Sequence, residues 1–371
     1  MARDAMSLLS EAKRRLKLAV DILSIMWRKS RQGHLPLWRQ LRESCWLKWH
    51  RQQTFRFYLM ARMWRREMPW DDKLAHFCYD DFHQLIDLLN PPTHRQLHRH
   101  KFAQKQHLLD AGIRTPALYG FFHPDHGIAT DGSRLRDVES VAHLLHAHEN
   151  EIVVFKPEIG SGGEGVVCYR IECLAEQVLL THPLTGESEP LATRFTQLNH
   201  HGHGVVIEAF CHQHPKLAAL NPDSVNTLRI WVTNEGNEPR VLGCFLRIGR
   251  RHVQVDNTAA GGLICTVDDH GVLQELSRGD LSREVLMQHP DTEVTVCGYP
   301  LPFFAEAKTL ALRALAAFPD MGIAGLDIAI DEHGPLVLEI NLDNPAQIGT
   351  ACFDRPGRYL FPRLFATEKL A

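Results

Sequence analysis

The chain has 371 residues, of which 44% are apolar and 23% are charged, as is typical of a globular protein with a sizeable core. This length predicts two or three subdomains. No stretch reaches the roughly 18 uninterrupted apolar residues of a membrane span, and no apolar segment of a secretory signal follows Met1. Nine cysteines without a Cys-x-x-Cys pair predict a reduced, cytoplasmic protein.

Charge is distributed unevenly along the chain. Residues 1–70 hold 16 Lys/Arg against 5 Asp/Glu, a net charge of +11, so the other 301 residues carry −14 of the total of −3. Six of the seven tryptophans lie in this basic segment: Trp27, Trp38, Trp46, Trp49, Trp64 and Trp70. Such a segment can lie on an anionic membrane. Nucleic acid is a second, less expected partner. The favoured interpretation is a helical domain whose tryptophans pack inward.

The predicted elements change in type along the chain. Residues 11–90 read as helices with breaks at Gly33–Pro36 and Met68–Pro69, and Lys101–Asp110 reads as a further helix. From Glu151 the pattern is of strands and short turns, interrupted by one helix over Leu301–Phe318. This order predicts an α+β fold. The predicted divisions are residues 1–92, 93–150, 151–215 and 216–371.

A glycine-dense loop lies between two strand-like runs. Glu151–Lys156 leads into Gly160-Ser-Gly-Gly-Glu-Gly165, and Val166–Ile171 follows. Glycine lets backbone N–H groups approach phosphate oxygens closely, and Lys156 adds a positive charge. The loop fits the spacing of a dinucleotide-binding motif, but no helix follows it, and it lacks the Gly-Lys-Ser/Thr of a Walker A loop. A kinase glycine loop also fits, although no other kinase motif is present. We predict a flap over a nucleotide; the alternative is a tight hairpin without a ligand.

Two carboxylates lie within apolar strands near the C-terminus. The runs Gly325–Ile330 and Leu336–Asn341 flank a turn. A three-residue loop, residues 332–334, would place Asp327 opposite Glu339, with Asn341 on the same face and Gly325 leaving room beside it. This oxygen-rich set suits Mg²⁺ bound with nucleotide phosphates. Without metal, the two carboxylates are expected to repel each other.

Two arginines interrupt other apolar strands. Arg229 lies within Ser224–Val232 and Arg247 within Cys244–Gly249, and Asn257 follows in the run Val255–Gly262. Arginine on a strand facing a nucleotide can hold a transferring phosphoryl group and the carboxylate that receives it. Each arginine alone is also compatible with a structural ion pair.

In their order along the chain, these features resemble the ATP-grasp superfamily: Lys101 before Gly112–Pro116, Lys156, the Gly160–Gly165 flap, Glu208 in a strand, the two arginine strands, and Asp327 with Glu339-x-Asn341. Within it, Ser224–Arg229 and Asp256-Asn257…Gly261-Gly262 look most like the sugar-transfer associated branch. The run Arg247…Asn257…Gly261-Gly262 is also similar to glutathione-synthetase-like and ribosomal-protein glutamate ligases. The resemblance covers roughly residues 95–350 and implies two α+β subdomains that grip ATP, after a mainly helical region.

The resemblance also implies roles for individual residues. Lys101 and Lys156 would contact ATP, and the flap at Ser161, Gly162 and Gly163 would cover the phosphates. Backbone at Glu208, Ala209 and Phe210 would read the adenine edge. Asp327, Glu339 and Asn341 would hold two Mg²⁺, for which Mn²⁺ can substitute. Arg229, Arg247 and Asn257 would be catalytic, with Arg229 and Asn257 facing the acyl-phosphate. The acidic ribose contact of many relatives is not evident, because Cys211 and His212 follow the hinge strand.

The implied reaction is phosphorylation of a carboxylate by ATP and attack by an amine or another nucleophile on the acyl-phosphate, with surface polysaccharide or a glycan precursor as the implied context. Two alternatives stay open: a phosphotransferase, and a non-catalytic ATP-binding component of a glycan system. The expected location is cytoplasmic, with peripheral contact at the inner membrane face. Neither substrate is identified by the sequence.

Overall fold

A computed structural model describes residues 2–97, 99–160, 164–174, 177–199, 202–343, 345, 347–353 and 355–365. The chain forms two compact units. The first unit consists of the residues up to Asp87, Arg278–Val285 and the described residues after Pro345. The second unit consists of Leu88–Ser277 and Leu286–Pro345. The boundaries predicted at residues 92, 150 and 215 stay predictions.

The first unit is mainly helical, as the sequence predicts. Gly33 adopts a φ of +90° at the first predicted break, and Pro36 and Pro69 precede the helices that follow the two breaks. Both prolines are favourable there because an N-terminal residue donates no helical hydrogen bond. The α-helices among the described residues of both units are α1 (Ala2–Arg31), α2 (Leu37–Arg51), α3 (Phe55–Met60), α4 (Trp70–Ala75), α5 (Tyr79–Leu89), α6 (Pro92–Leu97), α7 (Lys101–Asp110), α8 (Val138–His146), α9 (Leu191–Leu198), α10 (Pro215–Ala218), α11 (Phe304–Ala316) and α12 (Pro362–Phe365).

Buried ion pairs hold parts of the first unit together. Glu43 of α2 accepts hydrogen bonds from Lys73 at 2.7 Å and from Tyr58 at 3.1 Å, and all three side chains are buried. Asp81 accepts two hydrogen bonds from Arg358. A buried charge is tolerated only when it is paired in this way. Glu43, Lys73 and Asp81 are thus paired within the unit.

The tryptophans of the first unit contradict the favoured interpretation of the sequence. Trp64 is buried and Trp70 is half-buried. Trp27, Trp38, Trp46 and Trp49 are exposed. Most of the basic segment's tryptophans therefore lie on the surface rather than in the core. Among the described residues, no helix is both long and apolar enough to cross a membrane.

The second unit contains two seven-stranded sheets, with strand orders β2-β1-β7-β3-β4-β5-β6 and β12-β11-β10-β9-β8-β13-β14. Their strands are β1 (Leu118–Phe122), β2 (Ile128–Ala129), β3 (Ile152–Pro157), β4 (Val167–Leu174), β5 (Gln177–Thr181), β6 (Ser188–Pro190), β7 (Val205–Ala209), β8 (Thr227–Thr233), β9 (Arg240–Ile248), β10 (Leu263–Val267), β11 (Leu273–Arg278), β12 (Val285–Leu286), β13 (Ile323–Asp331) and β14 (Gly334–Asn341). With the helices before them, these antiparallel strands confirm the α+β prediction.

The second sheet buries one face against α11. Ala307, Leu310, Ala311 and Ala314 recur at helical spacing and pack into one core with the alternate residues of β8, β9 and β13. Small alanines allow the helix to approach the sheet closely. The opposite face of the central strands carries three of the predicted site residues, Arg229 of β8, Arg247 of β9 and Asp327 of β13.

Candidate functional site

A cavity of about 190 Å³ in the second unit is lined by residues of both sheets and of α7. Eleven of the predicted site residues line it: Lys101, Lys156, Glu208, Ala209, Phe210, Arg229, Arg247, Asn257, Asp327, Glu339 and Asn341. Ser161, Gly162 and Gly163 of the predicted flap lie outside the described residues. The strands on either side of the flap, β3 and β4, form the expected antiparallel pair.

The hairpin of β13 and β14 places the predicted carboxylates opposite each other. Asp327 pairs with Glu339 and Gly325 with Asn341, as predicted. The predicted three-residue loop is wrong, however, because Asp331 pairs with Gly334 and leaves a two-residue loop. A β-bulge corrects the register: Ile328 pairs with Val337, Asp327 pairs with Glu339, and Leu338 between them is the extra residue.

The bulge decides which face Glu339 occupies. Val337 and Ile340 both belong to the core under α11, although they are three residues apart on one strand. Regular alternation would put Val337 and Glu339 on the same face. The extra residue instead turns Glu339 and Asn341 away from the core and into the cavity.

Asp327 is paired with both arginines. Its Oδ1 lies 2.9 Å from Arg229 Nε and its Oδ2 lies 3.1 Å from an Arg247 terminal nitrogen. A Cβ at Gly325 would lie 3.3 Å from Arg229 Nη1, so glycine leaves room for the guanidinium. The expected repulsion between Asp327 and Glu339 is therefore not the dominant interaction, because the positive charges of Arg229 and Arg247 act on Asp327 directly.

A second carboxylate fixes Arg247. The hydroxyl of Thr227 accepts hydrogen bonds from Arg247 at 2.7 and 3.0 Å and donates to Asp256 at 2.5 Å. Burial alone would lower the pKa of Arg247, but the carboxylates of Asp256 and Asp327 outweigh burial and raise it. Burial also lowers the pKa of Arg229 and raises that of Asp256. Arg247 thus stays charged in a buried position.

The residues at the hairpin fit a magnesium ion. Asp327 Oδ1 is buried and makes no hydrogen bond beyond its ion-pair contact with Arg229, and Asn341 Nδ2 is buried without a hydrogen-bond partner among the described atoms. Carboxylate and amide oxygens are the donors that Mg²⁺ prefers, usually with substrate phosphates and water completing its shell. In the described part of the chain, no group of three or more His, Cys, Asp or Glu could hold a metal alone. Two carboxylates and an amide therefore suit an ion bound together with phosphates.

The sequence matches the profile of the sugar-transfer associated ATP-grasp family over residues 81–367. The chain belongs to this family. The family's description places it among the ATP-grasp proteins. No curated protein matches the sequence.

Solved structures with this fold are distant in sequence. The ATP-grasp ligase PsnB, complexed with a minimal precursor, is 15% identical, with a TM-score of 0.37 and coverage of 75% of this chain and 64% of that one. A RimK-domain ATP-grasp protein from Sphaerobacter thermophilus is 13% identical, with a TM-score of 0.36 and coverages of 71% and 66%. Carboxyaminoimidazole ribonucleotide synthase from Aspergillus clavatus, complexed with ATP, is 14% identical, with a TM-score of 0.39 and coverages of 73% and 55%. The chain thus spans less than two thirds of each.

Three charged residues converge near the ATP-grasp hinge strand β7. The buried carboxylate of Glu208 contacts the ammonium groups of both Lys105 and Lys156. Burial, reinforced by the charge of Lys156, lowers the pKa of Lys105 to about 6. Burial also lowers the pKa of Lys156 to about 8. Two lysines thus share one carboxylate.

Lys105 is a cavity residue that the sequence reasoning missed. It follows Lys101 by one helical turn on α7, so the two lysines face the same way. The four-residue spacing from Lys101 is the feature of the sequence that could have identified Lys105. Lysines on helices are usually solvent-exposed, and only the packing of α7 reveals that Lys105 is buried.

Two backbone N–H groups at the end of β7 already donate hydrogen bonds within the fold. The N–H of Ala209 donates to Ala117 O at 2.8 Å, and that of Phe210 donates to Ile152 O at 3.1 Å. These two donors are therefore engaged within the fold, which corrects the part of the adenine prediction that would use them. The side chain of Glu208 is likewise engaged with lysines.

Glu158 links the base of the flap to α7. Its carboxylate accepts a hydrogen bond from the N–H of Phe102 at 3.0 Å and lies 3.3 Å from His100 Nδ1. Burial raises the pKa of Glu158 to about 7, although the Phe102 N–H and the charge of Lys101 oppose the shift. Lys101 itself donates to Gly160 O at 2.5 Å and lies 3.6 Å from Glu339.

Proposed function

We propose that this protein is an ATP- and Mg²⁺-dependent ligase that joins a carboxylate to an amine or a related nucleophile through an acyl-phosphate. The observation that carries the proposal is the convergence of Lys101, Lys156, Arg229 and Arg247 with the Asp327–Glu339 pair on one cavity. Four cations around a small cavity suit a polyphosphate, and the opposed carboxylates suit the accompanying metal. Mg²⁺, when bound, screens phosphate charge and orients the phosphate oxygens.

In this proposal the lysines bind phosphate. Lys101 reaches the flap through Gly160 and lies near Glu339, so its ammonium stands between the flap and the hairpin. Lys156 is the penultimate residue of β3, the strand that leads into the flap, and Glu208 fixes the position of its ammonium. Glu208 also neutralises part of the charge when no nucleotide is present.

The arginines act on the acceptor side. Asp327 and Asp256 hold Arg229 and Arg247 in fixed positions, and preorganised cations stabilise developing negative charge without reorganisation. A carboxylate oxygen of the substrate attacks the γ-phosphorus, the bond to the leaving ADP oxygen breaks, and an acyl-phosphate forms. The amine nitrogen then attacks the acyl carbon, inorganic phosphate leaves, and the nitrogen loses a proton.

The biological context is also a proposal. The family's description associates it with sugar transfer, which supports a substrate within glycan or polysaccharide synthesis. The nine cysteines are free, which supports a reducing compartment such as the cytoplasm.

The test is nucleotide product analysis with pooled carboxylic acids and amines. A ligase of this type releases ADP rather than AMP, requires both substrates, and yields a hydroxamate when hydroxylamine replaces the amine. Lys156→Ala should weaken ATP binding, whereas the exposed Lys216→Ala serves as a matched control. A stable phosphoester product would identify a phosphotransferase instead. ATP binding without turnover under all conditions would support a non-catalytic role.

A further inference from the structure

Helix α1 carries a stripe of exposed apolar side chains. Leu16, Val20, Leu23 and Trp27 are spaced by four, three and four residues, which places them on one helical face. Between 46% and 66% of each of these residues is exposed. A surface helix usually packs such an apolar stripe against a core. On α1 the stripe is exposed, so none of the described residues covers it.

Helix α2 repeats the pattern with larger side chains. Trp38, Arg42 and Trp49 follow the same helical spacing, and Trp38 and Trp49 are 63% and 85% exposed. The guanidinium of Arg42 lies 5.3 Å from the ring centre of Trp38. On α1, Arg31 lies 5.8 Å from the ring centre of Trp27. Exposed tryptophans beside arginines are typical of the headgroup region of a bilayer.

The charge on α1 is strongly positive. Within residues 12–31, the basic residues are Lys13, Arg14, Arg15, Lys17, Arg28, Lys29 and Arg31, and the acidic residue is Asp21. Lys29 is buried against Trp64, so the exposed side chains of this stretch carry a net charge of +5, which opposes the pairing of α1 with a second copy of itself. It attracts a surface of phosphate or carboxylate groups over about one Debye length, roughly 8 Å at physiological salt.

We propose that the exposed apolar stripe of α1 binds the surface of an anionic lipid bilayer, with Trp38 and Trp49 of α2 as further contacts, the apolar side chains in the headgroup region and the exposed basic side chains on lipid phosphates. An apolar stripe between positive charges matches an amphipathic interfacial helix. Nucleic acid would need the charges but would leave Leu16, Val20 and Leu23 exposed to water. The absence of a membrane-crossing helix among the described residues leaves binding at the surface as the mode of contact.

The test uses the full chain and flotation with vesicles of phosphatidylcholine, with and without phosphatidylserine. Binding should require phosphatidylserine and weaken with salt. Intrinsic fluorescence should shift to shorter wavelength, because six of the seven tryptophans lie in residues 1–70. Replacing both Lys13 and Lys17 by Glu should weaken binding by about a hundredfold or more, from the known contribution of each charge near a membrane.

Matched variants separate this proposal from its rivals. Leu16→Gln with Leu23→Gln should abolish the fluorescence shift, whereas Leu174→Gln, at a residue 63% exposed in the second unit, should not. ATP hydrolysis by these variants reports separately on the proposed ligase. The proposal would be overturned by equal binding to neutral vesicles, by no vesicle binding, or by preferred binding to nucleic acid. It would also be overturned by a wild-type dimer that dissociates in the Leu16 and Leu23 variant.

Discussion

Asp327 is paired with positively charged side chains more completely than Glu339 is. The side chain of Asp327 is 8% exposed and contacts two arginines, whereas that of Glu339 is 28% exposed and lies 3.6 Å from Lys101. Sequence reasoning treated the two carboxylates as equivalent metal ligands. The structure assigns Asp327 an additional role as the counter-ion of Arg229 and Arg247.

Replacing each carboxylate by its amide should therefore have unequal effects. Asp327→Asn should lower the free energy of unfolding without ligand by about 3 kcal/mol, because it leaves the positive charges of the half-buried Arg229 and Arg247 undercompensated. Glu339→Gln should change it by less than about 1 kcal/mol. Both variants should lose Mg²⁺-ATP stabilisation and turnover. Chemical denaturation and ADP release measure these effects, and near wild-type turnover in either variant would place the metal elsewhere.

Glu158 should make stability depend on pH. Its folded-state pKa of about 7 exceeds the ordinary value of 4.5, so the folded protein binds a proton that the unfolded chain releases. The resulting stabilisation is present below pH 4.5 and is lost as pH rises to 7. Relative to Glu158→Gln, the wild type should lose on the order of 3 kcal/mol across this window. Denaturant titrations at several pH values measure it, and parallel curves for the two proteins would contradict it.

At the scale of elements, a side chain beside the cavity connects β4 of the first sheet to the loop between β9 and β10 of the second. Gln254 accepts a hydrogen bond from the N–H of Cys168 at 3.3 Å and donates to its carbonyl oxygen at 3.0 Å. Cys168 lies on β4, which follows the flap, and Gln254 lies two residues before Asp256. The strand carrying the flap is thereby tied to the segment that fixes Arg247.

Removal of this tie should weaken nucleotide binding. Gln254→Ala should reduce ATP affinity roughly tenfold, the equivalent of about one net hydrogen bond. Gln274→Ala, on β11, removes hydrogen bonds to Asp268 and Val272 and is the matched control. Isothermal titration with Mg²⁺-ATP compares the two variants. Equal affinities would show that the tie does not contribute to the closed cavity.

For the whole molecule, local patterns in the sequence predicted the helices before Asn90, the flap strands and the faces of β13. They also predicted which residues would gather, because Lys156, Arg229 and Asp327 interrupt apolar runs where a charge needs compensation. Burial of Lys105 and the outward position of Trp49 could not be predicted, since each depends on what packs against a helix. The two-residue loop and the bulge could not be predicted, because the shorter loop and the extra residue cancel. Together they leave Asp327 opposite Glu339, as a regular hairpin with a three-residue loop would.

Because of the bulge, β14 can lose one residue without a change in the pairing of Asp327 with Glu339. If Leu338 were deleted, Ile328 would still pair with Val337, the next pair would still be Asp327 with Glu339, and the ladder would become regular. The shortened chain should keep Mg²⁺-dependent ATP stabilisation in a thermal shift assay. Deletion of Ala329 from β13, where no residue is spare, should turn Asp327 toward the core and abolish it. Loss of the stabilisation in both deletions would contradict this inference. The position of the Asp327–Glu339 pair thus depends on the number of residues between the turn and each carboxylate. In β14 that number is one more than a regular ladder needs.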